Sequence, residues 1–210
     1  MGMIIHKDCT EGCQLGIWLI RENYDDLFGR VTLNESELNT LDNFRNHNRK
    51  IEWLSVRTLA NEMAGRNVRI IYNDERKPFL EDNSFNISIS HSHEFTSILL
   101  SKDRRVGIDL EYMSHRIGGI ADRFIHKSEN VTDDPALIQY HLYIYWCAKE
   151  ALYKICDKRD IHFKKDIIID NFEPEEKGEL TGNVKTGKGK ERFILNYFRI
   201  NNYAIVWSCK

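Results

Sequence analysis

Nothing in this sequence approaches the ~20 consecutive apolar residues that a membrane-spanning helix needs. The first residues, with Asp8, Cys9 and Glu11 close behind Met1, also lack the apolar core of a signal peptide. Neither sign of charge dominates, with 30 Lys and Arg against 32 Asp and Glu. That balance argues against a general binder of nucleic acid or of membrane surfaces, so any phosphate site has to be local. Cysteines are few and odd in number, at 5, and Cys147, Cys156 and Cys209 sit in apolar settings where a reduced thiol behaves as a small hydrophobe. A cytoplasmic protein is the expectation. What the sequence does have is 210 residues, 41% of them hydrophobic, enough for one sizeable core or two smaller packed lobes.

The stretch around which the chain is organised is Gly107-Ile108-Asp109-Leu110-Glu111, which ends an apolar, β-prone segment. Residues two apart project from one face of a strand, so Asp109 and Glu111 stand side by side. Two adjacent carboxylates repel, and burying them is costly unless a cation or a shared proton compensates. Mg²⁺ suits such an oxygen-rich pair, because it keeps waters and completes its shell with substrate phosphates. The competing account is a solvated strand face, since charged residues are mostly exposed.

A second stretch, Trp146-Cys147-Ala148-Lys149-Glu150-Ala151-Leu152-Tyr153-Lys154, lies in a segment whose Leu137, Tyr140, Ile144, Ala148, Ala151 and Ile155 recur at helical spacing. Glu150 and Lys154 fall off that stripe one turn apart. They read either as an ordinary i,i+4 surface pair or as a third carboxylate and a phosphate-binding ammonium. Upstream, Phe85 to Ser92 alternates, predicting a strand with Phe85, Ile87 and Ile89 towards a core and Asn86, Ser88 and Ser90 facing away. Small polar residues at that strand end leave room for a ligand beside His91. His91 and His93 also have the form of half a zinc site, with no third ligand evident.

Elsewhere Leu15 to Ile20 predicts a strand. Asn34 and Ser36 offer helix caps, and Leu38 to Met63 predicts one or two helices carrying a basic cluster of Arg45, Arg49 and Lys50. Val68 to Tyr72 runs into Arg76-Lys77-Pro78-Phe79, where proline stops the strand and holds Lys77 extended. Asp133, Asp134 and Pro135 predict the start of the long helix. Ile167 to Ile169, Phe193 to Ile200 and Tyr203 to Trp207 predict strands. Lys185 to Lys190 reads as a hairpin tip and not a phosphate loop, because no strand-to-helix transition surrounds it.

The pairing of G-x-D-x-E with W-x-x-K-E-A-x-x-K some forty residues later resembles the 4′-phosphopantetheinyl transferase superfamily, in particular its surfactin-synthetase-activating type. The resemblance implies an α+β fold of two similar lobes related by a pseudo-twofold axis, residues 1–104 and 105–210, with the metal site in the second. It implies Mg²⁺-dependent transfer of 4′-phosphopantetheine from coenzyme A to a serine of an apo carrier protein, releasing adenosine 3′,5′-bisphosphate. Asp109, Glu111 and Glu150 would be the metal ligands, with Glu150 as the base and Lys154 on substrate phosphate. His91 with Ser90, Lys77 and Arg49 would contact coenzyme A. Where the family usually has Gly-Lys-Pro this chain has Arg76-Lys77-Pro78, and His93 stands where the family often has glycine or another small residue. Arg123-Phe124 to Glu129 resembles the family's R-F-F-x-x-x-E stretch, bordering the groove where the carrier docks, although a structural role fits it as well. A monomer without nucleic-acid or membrane partners is implied. The same carboxylates also suit a Mg²⁺-dependent nuclease or phosphohydrolase, and the same fold suits a non-catalytic coenzyme A or carrier-binding module.

Overall fold

A computed structural model describes residues 2–10, 12–157, 161–187 and 189–210, so Met1, Glu11 and Lys188 of the readings above lie outside the described residues. The chain divides into two compact units, Met1–Asp103 and Arg104–Lys210. Among the described residues helix makes up 31% and strand 36%, and the sheet pairings are antiparallel. The fold is α+β.

In the first unit β1 (Met3–Thr10) and β2 (Cys13–Leu19) form a hairpin, followed by α1 (Tyr24–Phe28), α2 (Glu35–Asp42) and α3 (His47–Ala64). A short ribbon of β3 (Ile70–Tyr72) and β4 (Pro78–Leu80) precedes β5 (Asn86–Ser92) and β6 (Phe95–Ser101), and the main sheet runs β1-β2-β6-β5. Asn34 caps α2 in a reciprocal box with Glu37, which satisfies two helix-end donors at once. The helical stretch breaks before Asn46, whose side chain caps α3. Leu54, Leu59, Ala60 and Met63 of α3 are buried in one core with Trp18, Leu27, Leu41 and Ile98.

The alternation of β5 is only half kept. Ile87 is buried, but so are Ser88 and Ser90, and Ile89 is half-buried. Its neighbour β6 is buried along its whole length, so this part of the sheet is covered on both faces, and Ser90 gives its carbonyl to the Ser97 hydroxyl.

The second unit opens with β7 (Val106–Tyr112), a 3-10 turn at His115–Ile120 and α4 (Ala121–Phe124). Next come α5 (Ile138–Ile155), α6 (Phe163–Asp166), β8 (Ile167–Ile169), β9 (Lys177–Thr186), β10 (Gly189–Ile200) and β11 (Tyr203–Cys209). The sheet runs β7-β11-β10-β9-β8, with α5 packed on β7 and β11. The regular helix runs from Ile138, and Asp134 closes the turn that leads into it, its Oδ1 accepting from Ala136 N and its carbonyl from Ile138 N. Ile144, Ala148, Ala151 and Ile155 of α5 are buried as read, but so are His141, Tyr145, Lys149 and Leu152 on a second stripe.

Connectivity is alike within each unit. The strand that precedes the long helix, β2 or β7, pairs antiparallel with the unit's last strand, β6 or β11. The last two strands pair with each other.

Candidate active site

The face of β7 that carries Gly107, Asp109 and Glu111 lies under α5. A Cβ at Gly107 would stand 2.1 Å from the Ala151 carbonyl oxygen and 3.1 Å from Ile155 Cβ, so only glycine lets the helix backbone settle onto the strand here. The first position of G-x-D-x-E is therefore a packing requirement, one that the sequence reading did not assign. Close approach brings the next two residues of that face against the helix as well. Burial pushes the Cys147 thiol well up, and the Asp109 and Glu111 carboxylates push it the same way, so both acids act on one residue of α5. Glu150 lies three residues after Cys147 and four before Lys154, the spacings that share a helix face.

Asp109 answers the question of what compensates a buried acid. Its side chain is 5% exposed and its Oδ1 accepts from Lys154 Nζ at 2.7 Å; Lys154, 20% exposed, also donates to the Ile108 carbonyl at 2.8 Å. Lys154 is thus anchored across to β7, which an ordinary surface pair on α5 would not require. Glu111 is half-buried opposite Ala204 of β11, a small neighbour that leaves its carboxylate room. Glu150 is half-buried.

The donor chemistry of Asp109, Glu111 and Glu150, all hard carboxylate oxygens, fits Mg²⁺. As arranged, with Lys154 on Asp109, no group of three or more His, Cys, Asp or Glu among the described residues could hold a metal ion. The same finding covers His91 with His93. The fit therefore rests on donor type and on the shared face of β7.

Directly beside Glu150, Lys149 is wholly buried and its Nζ lies 2.8 Å from Glu129 Oε1, also wholly buried. Burial pulls the Lys149 ammonium below its ordinary range, with Glu129 opposing. Both residues stand inside motifs read from the sequence, yet neither was singled out, since a lysine and an acid twenty residues apart carry no local signal of pairing. Phe124 of the R-F-F-x-x-x-E stretch is buried with its ring edge-on to Trp146 at 5.2 Å, and Arg123 is exposed, which is the structural role.

In the first unit His91 stands at the end of β5. Its Nε2 accepts from Arg49 Nη1 at 2.8 Å, a pairing that assigns the ring proton to Nδ1, 3.7 Å from Glu52 Oε2. Glu52 also holds Arg49 at 3.1 Å. This cluster of base, acid and guanidinium was legible only in part, because Glu52 is one helix turn from Arg49 but far in sequence from His91. Glu52 and His91 line a cavity of about 720 Å³ with Asn48, Ile51, Ser92 and Glu94. Ser90 is buried one residue before it.

Lys77 sits in the β3–β4 turn, where its backbone N–H donates to Asn73 Oδ1 and its ammonium lies 6.0 Å from the centre of the Phe79 ring. Arg76 adopts φ 61° and His93 φ 49°. Both are left-handed, the conformation that favours glycine. Their side chains cost about 1 kcal/mol each there.

Residues 105–207 match the family model described as ACPS, the 4′-phosphopantetheinyl transferase superfamily. No curated protein matches the chain.

Proposed function

We propose, from the premise that the second unit belongs to the 4′-phosphopantetheinyl transferase superfamily, that this protein transfers 4′-phosphopantetheine from coenzyme A to a serine of an apo carrier protein. The observation that carries the reading is the seating of α5 on Gly107, which brings the helix of Glu150 and Lys154 against the strand of Asp109 and Glu111. In the reaction the serine hydroxyl oxygen forms a bond to the β-phosphorus while the bridging P–O bond of the pyrophosphate breaks. Adenosine 3′,5′-bisphosphate leaves. Glu150 takes the serine proton as general base. Asp109, Glu111 and Glu150 would hold Mg²⁺, which when bound neutralises pyrophosphate and leaving-group charge.

Lys154, once a phosphate competes for its ammonium, serves as the point charge on substrate oxygen. In the first unit we assign His91, Ser90 and Arg49 to the phosphates of coenzyme A, and Lys77 as a further cation. The reading extends to a holo-carrier-protein synthase acting as a cytoplasmic monomer. It extends also to a pseudo-twofold duplication, supported by the like connectivity within each unit. No helix among the described residues is long and apolar enough to cross a membrane.

The test is incubation with coenzyme A, Mg²⁺ and several apo carrier proteins, read by mass spectrometry as a gain of one phosphopantetheine. Glu150→Gln, which keeps shape and removes charge, is expected to lower kcat by about 10²-fold or more. No mass gain on any carrier, or full turnover by that variant, rejects the assignment.

A further inference from the structure

Both oxygens of the Glu129 carboxylate are engaged inside the second unit. Oε1 accepts from Lys149 Nζ at 2.8 Å and from Ile169 N at 2.8 Å, and Oε2 accepts from His126 N at 2.7 Å. Lys149 Nζ donates in addition to the Ile167 carbonyl at 2.7 Å. One ion pair, with both side chains at 0% exposure, therefore ties together α5, the loop after α4 and the strand β8.

Stability does not account for it. Desolvating two charges offsets most of what their attraction returns, so well-packed apolar residues of similar size do as well or better. What an apolar pair cannot do is fix an angle and a register, because dispersion contacts tolerate sliding while a lysine bonded to both a carboxylate and a carbonyl does not. The site needs such a fix. The contact at Gly107 sets how closely α5 approaches β7, and the bonds from Lys154 to Asp109 and the Ile108 carbonyl hold its last turn on that strand, but neither ties the helix to β8 or to the loop after α4. A rotation of one residue is ~100°.

We propose that Lys149 and Glu129 are a positioning pair, which sets the rotation and axial register of α5 and thereby the point at which Glu150 is presented. The proposal rests on the transferase reading for what Glu150 does, but its structural half stands by itself. Lys149 acts through its neighbour and touches no substrate. Mispositioning of a reacting group by ~1 Å costs about 10²-fold in rate, and the loss falls on kcat through Glu150, while Lys154 on the same helix loses part of its hold on coenzyme A with it.

The experiment uses the double variant Lys149→Met with Glu129→Gln. Lys149→Met alone leaves a buried carboxylate without its cation and is expected to unfold. The double variant removes both charges and keeps one acceptor for the buried N–H groups of Ile169 and His126. Two readouts are taken on the folded double variant and on the native protein. Nuclear Overhauser contacts from Gly107 Hα to the side chains of Ala151 and Ile155 report the seating of α5 with no substrate present. Steady-state kinetics with coenzyme A and an apo carrier report kcat and KM.

Weakened or shifted contacts with kcat down about 10²-fold and a raised KM for coenzyme A is the expected result. Native contacts together with native kcat in the folded double variant overturn the positioning role. If the native protein itself transfers nothing, the transferase reading fails, and the Gly107 contacts alone still decide whether the pair seats the helix: altered contacts uphold it and native ones refute it.

Discussion

Replacing Asp109 by asparagine removes a charge and keeps the shape, and two opposed effects decide what happens to stability. Relief of repulsion from Glu111, two residues along the same strand face, favours the variant. Loss of the contact to Lys154 disfavours it. Asp109 is 5% and Lys154 20% exposed, with 2.7 Å between Oδ1 and Nζ. Breaking such a pair from one side costs ~3–5 kcal/mol when both charges are buried. The partial exposure of Lys154 and its bond to the Ile108 carbonyl let the ammonium keep some solvation, which brings the expected loss for Asp109→Asn to ~2 kcal/mol. Glu111 is only half-buried, so solvent screens its repulsion from Asp109 to ~1 kcal/mol or less, and the pair wins.

Lys154→Met strands the more deeply buried partner and is expected to cost more, ~4 kcal/mol. The double variant leaves no unmatched charge and is expected within ~1 kcal/mol of native. Urea denaturation of the four proteins in the presence of a chelator gives the coupling energy directly. An Asp109→Asn protein as stable as the native one, or more stable, would refute the reasoning and leave repulsion as the dominant effect. Under the proposed function the same variant loses transfer.

Burial lowers the His141 imidazole to about 4, and its Nδ1 is occupied as an acceptor from Thr132 N. The unfolded chain, titrating near ~6.5, takes up a proton that the folded one refuses, so this residue's contribution is complete above that pH. It is lost towards pH ~4 at ~1.4 kcal/mol per unit. Melting temperatures against pH should fall less steeply over that window in His141→Phe, and identical slopes in the two proteins would contradict it. His91→Ala is expected to raise the dissociation constant for coenzyme A about tenfold, as loss of one charge-assisted hydrogen bond. His91 is only half-buried, so the melting temperature should hold; titration calorimetry showing native affinity would return His91 to a structural role.

Local order was readable where one residue's preference sufficed. The Asn34 cap, the strand of Asp109 and Glu111 and the apolar stripe of α5 each follow from the sequence alone. Strand β1 was passed over because its polar residues, Lys7 and Asp8 among them, dilute the pattern on what is an edge of the sheet. Strand β9 was passed over for a different reason. Its buried face reads Leu180, Gly182, Val184, and at Gly182 a Cβ would meet Leu152 Cδ1 at 2.5 Å, so the missing side chain that allows the packing also erases the alternation.

By itself the sequence determined which residue types stand together along the chain: two acids on one strand face, an acid and a lysine one turn apart on a helix, a histidine closing a strand. Those follow from the fixed periods of the backbone, 2 and 3.6 residues, and need no knowledge of what lies opposite. The tertiary structure decided every partner that comes from another element. It gave Lys154 to Asp109 and not simply to solvent, buried Lys149 on Glu129, put Arg49 on His91, and made Gly107 the seat of α5. Such pairings depend on which strands neighbour and on how closely a helix can approach, and burial then selects among charges by the cost of leaving any one of them uncompensated.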